Sequence, residues 1–179
     1  TIDEETGMTG AMELEKGILN GTILLNLDTE DDDEFSIGCA GGIDTNTSYD
    51  YATMPVQEHS LTYKIIVNGL NGGHSGVQIN EELGNANKIM NRLLYDCKKF
   101  NLQIIDVNGG SLRNAIPRES FATISAHPDY LKVFNARVSE IKEEYLVQDN
   151  NLSISIEAID SQNKGMSIED TVKITTAIH

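Results

Sequence analysis

Near its start the chain carries Asp3, Glu4 and Glu5, followed by Thr6 and Gly7, and the apolar run Ile23-Leu24-Leu25-Asn26-Leu27 ends in Asp28. Carboxylates at the ends of two neighbouring strands can converge on one point, because adjacent strands lie about 5 Å apart. Acids gathered in this way repel one another unless a cation sits among them. Glu4 and Glu5 point to opposite sides of an extended backbone, so their parts should differ: one can bind a metal while the other handles a proton. Alone, an acidic pair is a solvated patch; Asp28 at the end of a second apolar run is what gives it chemical meaning.

Three further motifs follow in order: Gly38-Cys39-Ala40-Gly41-Gly42, Gly72-Gly73-His74-Ser75-Gly76 and Asn114-Ala115-Ile116-Pro117. Together with the acidic motifs they resemble the aminoacyl-histidine (Xaa-His) and cytosolic non-specific dipeptidases, cytoplasmic dizinc metallopeptidases of the aminoacylase and carboxypeptidase-type superfamily. The resemblance runs from Asp3 to about His127 and continues more weakly to the end. It implies Glu5 and Asp28 as zinc ligands, one for each metal, with carboxylate oxygens at roughly 2.0–2.2 Å. It implies Glu4 as the general base that takes a proton from the attacking water. His74 matches a lid-domain histidine that polarises the scissile carbonyl, in dimeric members of the partner subunit's site, and Asn114 matches a lid asparagine that contacts substrate.

The family's remaining ligands, two histidines and a bridging aspartate, are expected before and after this segment, and none of His59, His74, His127 or His179 matches them. The chain by itself is therefore expected to be inactive and to hold no complete zinc pair. It reads as part of a longer enzyme hydrolysing unblocked dipeptides, beginning in mid-protein. A second reading is a non-catalytic lid and dimerisation module, with a homodimer formed through the lid. Read without the family, His74 is a turn histidine and Asn114 shapes the turn before Pro117. Arg113 and Arg118 flank Asn114 and could meet a substrate carboxylate, but the motif singles out neither.

Composition limits the alternatives. A formal charge of -15 over 179 residues argues against nucleic acid and against an anionic membrane surface. Cys39 and Cys97 form no Cys-x-x-Cys pair, which fits a reducing cytoplasm with no disulfide framework. Cys39 has no histidine nearby in sequence to activate it, and its glycine-rich setting suits a hinge. The acidic run Thr29 to Glu34 lacks the glycine and closing glutamate of a calcium loop and reads as solvated.

The elements that must position these residues divide into two sets. Residues 1–42 read as a fragment of an α/β catalytic domain: a helix over Thr9–Leu19 burying Ala11, Leu14 and Ile18, then a buried strand over Gly21–Asp28. Residues 43–179 read as an α+β lid domain, truncated at its C-terminal end. Its strands are predicted at Leu61–Val67, Leu102–Val107, Ser120–Ala126 and Asn151–Ile159, the last alternating Leu152, Ile154 and Ile156 against Ser153, Ser155 and Glu157. One helix is predicted over Glu81–Phe100 with Asn80 as its cap, a second after Pro128, and a third over Ser167–Ile178. The four strands and the first two helices, in the order βαββαβ, predict a ferredoxin-like fold, two helices on one face of an antiparallel sheet.

Overall fold

The structure, a computed structural model, describes residues 8–25, 33, 37, 38, 43, 45–95 and 97–179. The chain separates into two units, Thr1–Tyr49 and Asp50–His179. In the first, the described structure is one short helix, α1 (Thr9–Met12). The predicted helix over Thr9–Leu19 therefore ends after one turn, and Ala11, Leu14 and Ile18 are exposed rather than buried. Gly17, at φ 90°, further on, bars any helical continuation toward Leu19. Residues 21–25 form no strand, and the rest of the predicted strand lies outside the described residues.

The second unit is built on a four-stranded antiparallel sheet of β2 (Leu61–Asn68), β4 (Gln103–Gly109), β6 (Ser120–Ala126) and β7 (Ser153–Ala158), in the order β4-β6-β2-β7. Two two-stranded ribbons join it: β1 (Thr53–Pro55) with β8 (Lys164–Met166), and β3 (Gly73–His74) with β5 (Ala115–Ile116). Strand β2 alternates as a half-buried strand must, with Tyr63, Ile65 and Val67 buried. Register shifts between Ile104 and Asp106, so β4 bulges against β6.

Helices α2 (Ala86–Leu94) and α3 (Tyr130–Glu144) cover the sheet, joining Ile89, Met90, Leu93, Tyr130, Phe134 and Ile141 to its inward residues in one core. Each such side chain contributes about 1.5–3 kcal/mol on burial. A bidentate ion pair from Arg92 to Glu144, at 2.7 and 2.6 Å, ties α2 to α3 on their outer side. Helix α4 (Ile168–Ile178) starts on Ser167, whose hydroxyl accepts from Asp170 N at 3.0 Å. The Asn91 amide then fastens α4 to α2 by donating to the Thr175 carbonyl at 3.0 Å.

The predicted helix over Glu81–Phe100 is shorter than its apolar spacing implied. Asn80 is not its cap. Glu82 is left-handed at φ 56°, which interrupts any helix begun at Glu81, and Asn85 takes the cap, its side chain accepting from Asn87 N and Lys88 N. The helix ends at Leu94, and a single 3₁₀ turn occupies Cys97–Phe100. Among the described residues no helix is long and apolar enough to cross a membrane.

Candidate functional site

The loop that leaves β2 is forced into a sharp turn. Gly72 sits at φ 67°, and a Cβ there would stand 3.3 Å from both the Ile116 carbonyl oxygen and Arg118 Cβ. That close approach lets β3 lie on β5, pairing Gly73 with Ile116 and His74 with Ala115, and Ser75 N donates to the Asn114 carbonyl at 2.7 Å. His74, on this ribbon, and Asn114, at its edge, are thus brought together across forty positions of sequence.

Four hydrogen bonds fix His74. Its backbone N–H donates to Gln78 Oε1 at 2.8 Å, and its carbonyl accepts from Gln78 N at 3.1 Å. Its ring Nδ1 accepts from both Gly76 N and Val77 N, each at 3.1 Å. An Nδ1 that accepts two N–H groups carries no proton, so the neutral ring is the tautomer with its proton on Nε2. His74 is exposed, and a donor on a fixed ring offers a hydrogen bond to whatever oxygen meets that face. Gln78 is steadied in turn, its amide donating to Glu81 at 3.3 Å.

A cleft of about 740 Å³ adjoins the ribbon through Ser75 and Ala115 and is walled by Leu83, Pro117 and Tyr145. Lys88, Arg113 and Glu82 also line it, so it presents both signs of charge, and its size lies within the range of small-molecule sites. Arg118 packs instead against the Gly72 turn.

The remaining histidines are dispersed. His59 occupies a left-handed turn at φ 62°, His127 Nδ1 accepts from Asp129 N at 3.3 Å ahead of α3, and His179 stacks on Tyr95 at 3.9 Å. Glu4, Glu5, Asp28 and Cys39 lie outside the described residues. Among the described residues no group of three His, Cys, Asp or Glu could hold a metal ion. Sequence reasoning missed Gln78, which grips the backbone of His74, and Asp149, which holds the same loop from beneath; neither belongs to any of the motifs above.

Residues 58–146 match the family model described as peptidase dimerisation domain (M20_dimer). The chain is 40% identical over 164 residues to the cytosol non-specific dipeptidase of Escherichia coli (strain K12), an alignment covering 89% of this chain and 34% of that protein. It superposes on the crystal structure of aminoacylhistidine dipeptidase from Vibrio alginolyticus with a TM-score of 0.81 and 37% identity, covering 99% of this chain and 37% of that one. The chain thus spans about a third of the length of the relatives it matches. Shared sequence across nearly the whole chain, a shared fold and a matching domain model lead to one conclusion: the chain belongs to the M20 peptidase family, is closely related to its aminoacylhistidine and cytosolic non-specific dipeptidases, and corresponds to their dimerisation and lid region.

Proposed function

We propose that this chain is the lid segment of a longer zinc-dependent cytoplasmic dipeptidase, and that His74 donates a hydrogen bond from Nε2 to the carbonyl oxygen of an unblocked dipeptide. The observation that supports this reading is the pair of backbone N–H groups on Nδ1, which leaves the Nε2 proton facing outward. Negative charge develops on that oxygen as water attacks, and a fixed donor stabilises it without reorganising. Asn114, immediately before the partner strand and bonded through its carbonyl to Ser75 N, contacts the substrate. In this reading residues 43–179 form a ferredoxin-like lid with the strand order found for the central sheet, and residues 1–42 belong to the catalytic domain.

Glu5 and Asp28 offer the oxygen donors that suit zinc, and Glu4 is the base beside them. Bound zinc supplies an activated water at neutral pH. These carboxylates lie outside the described residues; the resemblance assigns the remaining ligands, two histidines and a bridging aspartate, to other parts of the longer protein. In this segment alone no hydrolysis is expected.

The test is His74→Ala in a protein extended at both ends. A fall in kcat of about 10²–10³, with zinc content unchanged, is expected for loss of one oxyanion donor. Unchanged kcat would sink the role. The family model's description favours a second reading, a homodimerising lid with no chemistry of its own. In that case the 179-residue chain forms dimers and His74→Ala changes nothing but surface.

A further inference from the structure

The His74 loop begins and ends on one buried carboxylate. Asp149 is 1% exposed; its Oδ1 accepts from Asn71 N and its Oδ2 from Gly84 N, each at 2.6 Å. Residues 71 and 84 bracket the Gly72 turn, β3, His74 and Gln78. A second bond at the entry, from Asn71 Nδ2 to the Gln148 carbonyl at 2.6 Å, reinforces the clamp. The exit is packed so closely that a Cβ on Gly84 would stand 3.1 Å from Asp149 Oδ2 and 3.3 Å from Tyr145 Cε1.

Asp149 is itself immobilised. Its N–H continues α3 by donating to the Tyr145 carbonyl at 2.9 Å, and its own carbonyl accepts from Leu152 N at 2.9 Å, leading into β7. The carboxylate therefore hangs from the junction of a core helix and a sheet strand. Charge-assisted bonds to backbone N–H groups are stronger than neutral ones, and a loop closed at both ends on one rigid point has little freedom to shift. Asp149 lies beyond the residues that match the dimerisation model.

We propose that Asp149 is a positioning residue for His74: by closing both ends of the 71–84 loop on one carboxylate, it fixes the direction of the His74 Nε2 proton. This rests on the reading of His74 given above. Displacing a reacting group by about 1 Å can cost about a hundredfold in rate, so a loop that only frays at one end should be felt in catalysis before it is felt in folding.

Asp149→Asn keeps the shape but exchanges one acceptor oxygen for an NH₂ group, which cannot accept from the N–H it faces. Two readouts are taken. In the 179-residue chain, side-chain ¹⁵N shifts of His74 should move from those of one tautomer toward averaged values. In the longer dipeptidase, kcat should fall about tenfold or more with KM nearly unchanged, and Asp149→Asn added to His74→Ala should cost nothing further. Unaltered ring shifts with unaltered kcat, or a loss that multiplies with that of His74→Ala, would overturn the proposal. Shifted ring signals beside an inert His74→Ala would keep the clamp and discard the catalytic reading of His74. If circular dichroism shows Asp149→Asn unfolded, Asp149→Ser, which is smaller and too short to reach both the Asn71 and Gly84 N–H groups, opens the same clamp without overpacking and should move the same ring signals. Unmoved signals there would likewise overturn the clamp.

Discussion

Replacing Gln103 by Leu should loosen the β1–β8 ribbon while leaving the four-stranded sheet in place. Gln103 is 1% exposed; its Oε1 accepts from Gln57 N at 2.9 Å, and its Nε2 donates to the Met166 carbonyl at 3.0 Å and more weakly to the Pro55 carbonyl at 3.4 Å. One amide thus joins β4 to both strands of the ribbon. Met166 is 4% exposed, so its carbonyl would be orphaned at a cost of about 1–3 kcal/mol. Gln57 lies at the surface, where water can replace the lost acceptor. Leucine refills the space and removes a buried amide, which offsets part of the loss and leaves a net destabilisation of about 1–2 kcal/mol. Gln103→Glu should be worse, about 3 kcal/mol or more at pH 8, because an ionised carboxylate would face the Met166 carbonyl. Burial would raise that acid's pKa in the folded state, so its penalty is greatest above the raised value. It shrinks as pH falls and the protonated acid donates again. Urea denaturation across pH measures both variants, with amide exchange at Val56, which donates to the Asn163 carbonyl at 3.2 Å, reporting on the ribbon. Wild-type stability and exchange in Gln103→Leu, or a Glu variant no worse than Leu at pH 8, would refute the reasoning.

Gly69→Ala should cost about 2–4 kcal/mol in a urea melt, because the backbone is at φ 78° and a Cβ would overlap the Asn151 carbonyl oxygen at the β2–β7 edge. Tyr63→Phe should be neutral or up to about 1 kcal/mol stabilising, since the Tyr63 hydroxyl is buried and, among the described residues, has no hydrogen-bond partner; a loss above that size would reveal a bond. Burial also pushes the Tyr63 phenol up from its usual value, so it should resist ionisation in an alkaline absorbance titration until the fold opens. The Arg92–Glu144 pair, with side chains 29% and 50% exposed, should show a coupling of about 0.5–1 kcal/mol in a double-mutant cycle, weakened by salt. The hydrogen bond from Arg92 holds the Glu144 carboxyl below its ordinary value, partly opposed by desolvation. Its contribution is therefore full above the ordinary carboxylate range and lost as pH falls through the lowered folded value.

Much of the fold is legible because it obeys short-range rules. Strand β6 coincides with its predicted bounds, and Ile154 and Ile156 on β7, with Leu152 just before it, are shielded while Ser153, Ser155 and Glu157 are exposed, as the alternation requires. Helix α4 starts within one residue of its predicted position, with the Ser167 hydroxyl as its cap. Where the reading missed, a local signal had a stronger rival. Leu83 continues the apolar spacing of α2, but a left-handed Glu82 and the tight fit of Gly84 exclude helix there. Asn85 then outcompetes Asn80 because its side-chain Oδ1 accepts from two N–H groups of the first turn, those of Asn87 and Lys88. The short strands β1, β3, β5 and β8, of two or three residues, carry too few positions for any periodicity to register.

The site divides along the same line. Resemblance points to His74 and Asn114 as separate motifs, yet only the β3–β5 pairing makes them neighbours, and pairing of two-residue strands is a consequence of the Gly72 turn rather than of any pattern in the strands. Glu4, Glu5 and Asp28, the most conspicuous residues of the sequence, lie outside the described residues, so the structural argument rests on His74. Asp149 is the opposite case. It stands in Gln148-Asp149-Asn150-Asn151, which reads as an ordinary polar turn, and its partners are backbone N–H groups 78 and 65 positions away. Backbone donors leave no trace in residue identity, since every non-proline residue carries one. A side chain that serves a site by holding the main chain beneath it is therefore invisible to motif and period alike, and becomes evident only as a buried acid whose oxygens both end on a loop that carries chemistry.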